Sequence, residues 1–288
     1  MLSVLLQTAL VDANNLPIGP GGSVEVRINR VAETATGDFV TLDRIVQAAR
    51  GKRFVYVGET HDNEGAHRWQ SNIIGALDSA GRNVIVGLEM YQRAKQPFLN
   101  IWSMGRFSEV DFLKESDWKG QWGFDFALYR PIFDYVRKHH LRLVGLNIPR
   151  DWVRTVGKSG ANALPEDAKS QLPELYLGNE EHKQVFNALI GGHPMSGNNM
   201  YAAQVLWDEA MADTAIKYLQ TTSVTDNTVF VVLAGNGHLM YKQGINYRIA
   251  RRTGMDGVTV ITVDTKEPVK VSKGLGDFVI GTREKDSK

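Results

Sequence analysis

The sequence contains no cysteine. That excludes disulfides, thiolate metal sites, a cysteine nucleophile and a lipidated N-terminal cysteine within this chain. It leaves the compartment open, because cysteine-free proteins occur in every one. Charge of a single sign is missing too. The chain carries 33 basic and 32 acidic residues, so it shows no basic footprint for nucleic acid. No apolar run approaches the roughly 20 residues of a membrane-crossing helix, and no transmembrane segment is expected. The opening MLSVLLQTALVDA is mildly apolar, but no Lys or Arg precedes Arg27, and a secretory signal usually starts with basic residues. The expectation is a mature or recut form, or a protein kept inside the cell, with a surface strand or frayed terminus here. No fixed-period repeat is present.

Several catalytic signatures are absent as well. No GxGxxG follows a strand, and there is no Walker A loop, HExxH or GxSxG elbow. GNGH at 235–238 is too short to cradle a nucleotide. His61 and His67 are six residues apart, which does not make the i, i+4 zinc pair of a helix.

What is present is a 288-residue chain with an ordinary 43% of hydrophobic residues. Five short apolar runs read as core strands: 54–57, 84–88, 143–146, 229–234 and 258–263. A sixth short strand is expected at 278–280, and alternation at Val24, Val26 and Ile28 suggests a half-exposed edge strand. Helical patterns lie between them, at 42–51, 66–80, 91–101, 109–115, 126–140, 199–220 and 245–252. Pro131 is placed in or near the first turn of the 126–140 helix, and 118–122 reads as an aromatic loop. Strands that alternate with helices and are apolar throughout indicate parallel βαβ units covered on both faces. The fold class is therefore α/β: a mostly parallel central sheet with helices on both faces and a helical insertion over the C-terminal rim of the strands. Residues 1–38 form an edge strand and loop, 39–282 a single domain with the insertion at about 151–198, and 283–288 a charged, disordered tail.

The ends of the core strands carry the chemistry. The first ends in Glu59 and His61, the second in Glu89, the third in Asn147 and Arg150, and the fourth in Asn236 and His238. In parallel sheets ligands bind outside the carboxyl ends of the strands, so these groups share one rim. Each alone has an ordinary explanation as a cap, an ion-pair partner or a hydrogen-bonded imidazole. Their conjunction points to a site. On the long helix, Tyr201, Gln204, Asp208 and Met211 form one stripe beside an apolar stripe of Val205, Ala212, Ile216 and Leu219. His193 sits in the preceding GGHPMSG loop, which is either exposed or able to cover a site. Trp118, Trp122, Phe124, Phe126 and Tyr129 form a dense aromatic run, for core packing or for the wall of a flat apolar ligand. The phenols of Tyr129 and Tyr201 are of the type that binds ferric iron, since tyrosinate is an axial haem ligand.

Taken in order, VGETHDNEGAHRWQ, VGLEMYQR, QPFL, WGFDFALYRPI, LNIPRDWV, YAAQVLWDEAMA and AGNGHLMYKQGI resemble the ChaN-like family of bacterial haem-binding proteins. That family shares a superfamily with the Tiki proteases and the erythromycin esterases. The resemblance runs from about Phe39 to the end. It implies haem as cofactor, a role in haem or iron uptake, and an envelope or periplasmic location. It also implies a homodimer in which two haems stack between subunits, with tyrosine and histidine near the iron. Glu59, His61 and His67 match the first motif, Glu89 the second, Tyr129 the WGFDFALY motif, Arg150 the NxPR segment, and Gly237 and His238 the last. The chain departs from the envelope lipoproteins of the family in lacking a lipidation cysteine, so a cytoplasmic location stays open.

Three readings follow. In the first, a haem is bound with iron held by Tyr129, Tyr201, His193 or His238, over a pocket that includes His61 and His67, and Arg150 pairs with a propionate. In the second, the protein is a hydrolase: Glu59 or Glu89 acts as base, and His61 with His238 holds a metal or stabilises an oxyanion. In the third, it binds a protein partner and the rim is vestigial.

Overall fold

The structure, a computed structural model, describes residues 11–191 and 199–285. Strands β1 (Ser23–Val26), β2 (Val31–Glu33) and β3 (Phe39–Val40) come first. Helix α1 (Leu42–Ala48) leads into β4 (Phe54–Glu59), then α2 (Glu64–Ser79) and β5 (Asn83–Gln92). Helices α3 (Gln96–Ser103), α4 (Glu109–Glu115), α5 (Trp118–Gln121) and α6 (Phe126–His139) precede β6 (Arg142–Asn147). The insertion holds α7 (Arg150–Ser159), α8 (Glu166–Lys169) and α9 (Glu180–Leu189). The chain ends with α10 (Asn199–Thr221), β7 (Thr228–Gly235), α11 (Ile245–Thr253), β8 (Gly257–Thr265), β9 (Val269–Ser272) and β10 (Phe278–Arg283).

The central sheet has eight strands in the order β3-β2-β10-β8-β4-β7-β5-β6. It is parallel from β10 to β6, and β2 and β3 join antiparallel at one edge. β1 pairs with β9 in a separate two-stranded ribbon. The apolar runs explain why the sheet is covered twice, because successive side chains point to opposite faces. Val55 and Val57 of β4 face α1, α2, α3 and α6, whereas Phe54 and Tyr56 face α10 and α11. A third apolar cluster, including Val153, Val156, Leu164 and Leu206, fastens the insertion to the far side of α10. That helix is therefore buried almost all round, between the sheet and the insertion.

Four local readings are corrected. β5 does not stop at Glu89 but runs to Gln92, with a register shift against β6 between Leu88 and Gln92. Such a bulge re-aims side chains, and here it falls at Glu89. Residues 118–121 form a short helix rather than a loop, because Trp118 packs into the core and Asp117 caps it by accepting from the Gly120 N–H. Pro131 lies in the body of α6, past the first turn. Arg283 is the last residue of β10, paired with Thr265, and only 286–288 lie outside the described residues at that end.

Candidate functional site

Topology makes the rim. β7, late in the sequence, is inserted between β4 and β5. The ends of these strands thus lie side by side at the point where the strand order reverses, the usual place for a ligand crevice in an open α/β sheet.

The first corner is built on Glu59, the last residue of β4, whose side chain is fully buried. A carboxylate without water needs partners, and two imidazoles supply them. His61 Nδ1–H donates to Oε1 at 2.7 Å, and His67 Nε2–H donates to Oε2 at 3.2 Å. His67 reaches Glu59 from the first turn of α2, where Asn63 caps the helix by accepting from the Ala66 N–H. His61 is 37% exposed and opens onto the rim. Burial pulls its pKa down, but the hydrogen bond and charge of Glu59, with the charge of Glu89, outweigh this and hold it above its ordinary value. Its ring lies edge-on to Trp122 (centroids 4.6 Å apart) and Phe124 (5.3 Å). Gly235 is required beneath it, because a Cβ there would come within 2.8 Å of His61 Cε1.

The second corner is a chain of alternating charges. Glu89 Oε2 accepts the Gly235 N–H at 2.7 Å, and Oε1 lies 3.2 Å from His238 Nε2. His238 Nδ1–H donates to Asp208 Oδ1 at 2.5 Å. Asp208 Oδ2 lies 3.0 Å from His182 Nε2 and 3.6 Å from Arg248. Burial disfavours the His238 cation, but Glu89 and Asp208 on either side of it win, and its pKa is pushed up to about 10. The same cation, with Arg248, holds Asp208 well below the usual carboxylate range against the effect of burial. Glu89 is likewise lowered despite burial, by His238, His61 and the Gly235 N–H. His182 moves the other way. Burial lowers its pKa, and its Nδ1 accepts from Arg248 at 3.3 Å, so it is a neutral imidazole.

Above these corners lies a cavity of about 620 Å³. Its apolar wall is Trp122, Phe124, Phe186, Met200 and Trp207, and its polar lining includes His61, Glu89, Asn147, Gln204 and His238. α7 supplies Arg150, Arg154 and Lys158. This volume lies within the range of ordinary cofactor pockets.

The residues singled out in sequence divide clearly. His61, Glu89, Asn147, Arg150 and His238 meet at the cavity. Glu59 and His67 lie beneath it, joined to His61. Tyr129 is fully buried, is not on the described cavity lining, and lies against His67 with ring centroids 3.9 Å apart and planes tilted by 43°. Its hydroxyl donates to the His61 carbonyl at 3.0 Å and accepts the Trp122 indole N–H at 2.8 Å. Burial, followed by the charge of Glu59, raises its pKa strongly, which opposes a tyrosinate. Tyr201 also points elsewhere: its hydroxyl donates to the Asn179 carbonyl and lies 3.1 Å from His182, and its pKa is pushed up to about 12, chiefly by burial. Neither phenol is on the described lining of the cavity. His193 lies outside the described residues. Arg150 donates to the Gln121 carbonyl at 2.6 Å and so ties α7 to the aromatic wall. Sequence reasoning missed His182, Phe186, Trp207, Arg154 and Lys158. The i, i+4, i+8 spacing of Arg150, Arg154 and Lys158 was the one signal available for the last two.

Among the described residues no three His, Cys, Asp or Glu side chains converge as a metal site, and no helix is long and apolar enough to cross a membrane. The residues present do fit a haem. Among the described residues nothing hydrogen-bonds to His61 Nε2, while its Nδ1–H is fixed by a buried carboxylate, the usual support of a metal-ligating histidine.

Comparison with known proteins completes the picture. No curated protein sequence matches the chain. Among solved structures, that of ChaN of Campylobacter jejuni, described as cofacial heme binding, is 19% identical with a TM-score of 0.66 over 88% of this chain and 98% of that one. An erythromycin esterase mutant in its open conformation is 12% identical with a TM-score of 0.49 over 84% and 77%. A Bacillus cereus protein is 12% identical with a TM-score of 0.48 over 85% and 92%. At these identities the likeness is one of fold. A family model described as haem-binding uptake, Tiki superfamily, ChaN, matches residues 45–249. With the ordered strand-end motifs all inside or beside that match, the chain belongs to the ChaN family of haem-binding uptake proteins in the Tiki superfamily.

Proposed function

We propose that the protein binds haem in the cavity at the C-terminal rim of the sheet, as part of haem or iron handling. The observation that carries this is one cavity that joins an apolar, tryptophan-rich wall to a half-exposed histidine backed by a buried carboxylate. His61 is the residue we assign to the iron. Glu59 fixes its tautomer and raises its basicity, and the Trp122 and Phe124 rings restrict its rotation. His238, already committed to two carboxylates, stays a cationic floor rather than a ligand. When bound, haem would supply a ferric centre, held by His61. The chain's own residues orient it and exclude water. A cofacial pair of haems between two copies of the chain, and an envelope location, belong to the same reading. Titrating hemin into the purified protein should give a saturable Soret band whose position shifts in His61→Ala. A Soret band that never saturates refutes the reading. A spectrum unchanged in His61→Ala refutes the ligand assignment alone.

One observation favours a second reading. Glu59 and His61 form a buried carboxylate–imidazole dyad whose imidazole faces a cavity, an arrangement suited to general-base hydrolysis of an ester or amide. An esterase and peptidase panel tests it. Turnover that survives both Glu59→Gln and His61→Ala removes this dyad from the chemistry.

A further inference from the structure

The cavity has a charge pattern of which the haem reading uses only Arg150, as a partner for a propionate. Glu89 is the one carboxylate on its described lining, and it is matched by the imidazolium of His238. Arg150, Arg154 and Lys158 also lie on that lining, with no acid opposite them. They occupy positions i, i+4 and i+8 of α7, so they stand in a row about 12 Å long on one helix face. A solvated face of an amphipathic helix would explain three exposed cations. It would not explain why all three line the cavity that holds the tryptophans.

Their individual bonds show which charges remain to be used. Arg150 spends one guanidinium nitrogen on the Gln121 and Trp122 carbonyls, which are neutral acceptors. Arg154 contacts Asp151, but both side chains are mostly exposed (65% and 84%), so the pair is weak and easily exchanged. Lys158 has no hydrogen bond or ion pair among the described residues. The rest of the described lining includes Phe186, Met200 and Trp207, all uncharged. The chain as a whole is nearly neutral, with a net charge of +1, so this local excess of positive charge is a property of the cavity. Low-dielectric walls concentrate such a field on whatever enters.

We propose that the α7 row is an anion rail: the cavity takes a flat apolar ligand that carries carboxylates along one edge, and Arg154 and Lys158 bind that edge while Arg150 holds the rail to the aromatic wall. This rests on the haem reading and specifies it. The ligand's acidic edge points to α7 and its apolar face to Trp122 and Trp207. The rail recognises the acid edge and not the metal, so iron-free protoporphyrin IX should be bound by the same residues.

The test compares three probes: hemin, iron-free protoporphyrin IX, and protoporphyrin IX dimethyl ester, whose carboxyl groups are uncharged. Binding is read by quenching of tryptophan fluorescence. The proteins are the wild type, Arg154→Glu with Lys158→Glu, and Lys169→Glu, which reverses a charge on α8 away from the cavity. Circular dichroism checks that each is folded. The expected result is a loss of ten-fold or more in affinity for both free acids in the double variant. No comparable loss is expected for the dimethyl ester, and no loss in Lys169→Glu. Raising the salt concentration should weaken the free acids in the wild type and hardly affect the double variant. Wild-type binding of the free acids that the double variant leaves unchanged overturns the rail and leaves the haem reading standing. An equal loss for the ester overturns it too, because the effect is then not one of charge. Failure of wild-type protein to bind hemin or protoporphyrin removes the haem reading and the rail together.

Discussion

Replacing Asp208 with Asn removes one of the two carboxylates that enclose His238 while keeping the size of the side chain. In the wild type the imidazole lies 2.5 Å from Asp208 and 3.2 Å from Glu89, and its pKa is pushed up to about 10. The ordinary value for histidine is 6.5. At about 1.4 kcal/mol per unit, the shift corresponds to roughly 5 kcal/mol of folding stability. Loss of one of two carboxylates should remove about half of that, some 2–3 kcal/mol, or roughly 5–10 °C in Tm for a chain of this size. The sign of the pH effect follows from the direction of the shift. A group whose pKa is raised on folding contributes fully below its unfolded pKa, and the contribution is lost as pH rises through the folded one. Wild-type stability should therefore fall between about pH 6.5 and 10, and the Asn variant should lose its smaller share at lower pH. Asp208 itself is shifted the other way, so its contribution is present above the ordinary carboxylate pKa and lost on acidification. Histidine-selective NMR titration reads the His238 pKa directly, and melting curves across pH read the linkage. A wild-type His238 that titrates near 6.5, or a His238 pKa unmoved in Asp208→Asn, refutes the charge chain.

Three further outcomes are expected. Tyr129→Phe should cost about 1–3 kcal/mol, because the Trp122 indole N–H loses its acceptor inside the core. The type of Soret spectrum should not change, since this phenol is turned away from the cavity; disappearance of a tyrosinate charge-transfer band would contradict this placement. Hemin affinity, measured by titration at several pH values, should rise as pH passes through the raised pKa of His61, because only the neutral imidazole ligates and protons compete below that point; a flat profile contradicts His61 as ligand. Gly235→Ala should displace the His61 ring, which its Cβ would meet at 2.8 Å, and weaken hemin binding by ten-fold or more while the protein remains folded by circular dichroism.

Much of this architecture was legible because it obeys local rules. The runs at β4, β5, β6, β7 and β8 are apolar on consecutive residues, which only a doubly covered strand requires. β2, β3 and β9 were invisible, being two to four residues long; β2 and β9 have partners far away in sequence, and β3 pairs over two residues with β2 alone. The bulge that ends regular pairing in β5 leaves no mark in its composition, so Glu89 read as a strand end when it lies within the strand. Rim residues on strand ends were found because a parallel sheet gathers them automatically. Phe186 and Trp207 were not, since their place on the cavity depends on how α9 and α10 pack rather than on any local pattern. Tyr129 shows the limit of reading by residue type. Its residue type suits iron, but its hydroxyl is already used by His61 and Trp122, and no sequence pattern reveals that.

The position of β4 also bears on how the chain is made. Its neighbours in the sheet are β7 and β8, which begin at Thr228 and Gly257. During synthesis the first core strand therefore leaves the ribosome with both hydrogen-bonding edges open, and it waits for more than half of the chain before either is closed. Exposed strand edges of this kind invite pairing with other chains, and such non-local closure is slow. Glu89 waits as well, since the Gly235 N–H and His238 arrive only with β7 and the turn after it. The cavity is thus formed late, and a nascent chain has no rim for the haem proposed above. Capture of a ligand there would report that β7 and the turn carrying His238 have been made and are in register with β4 and β5.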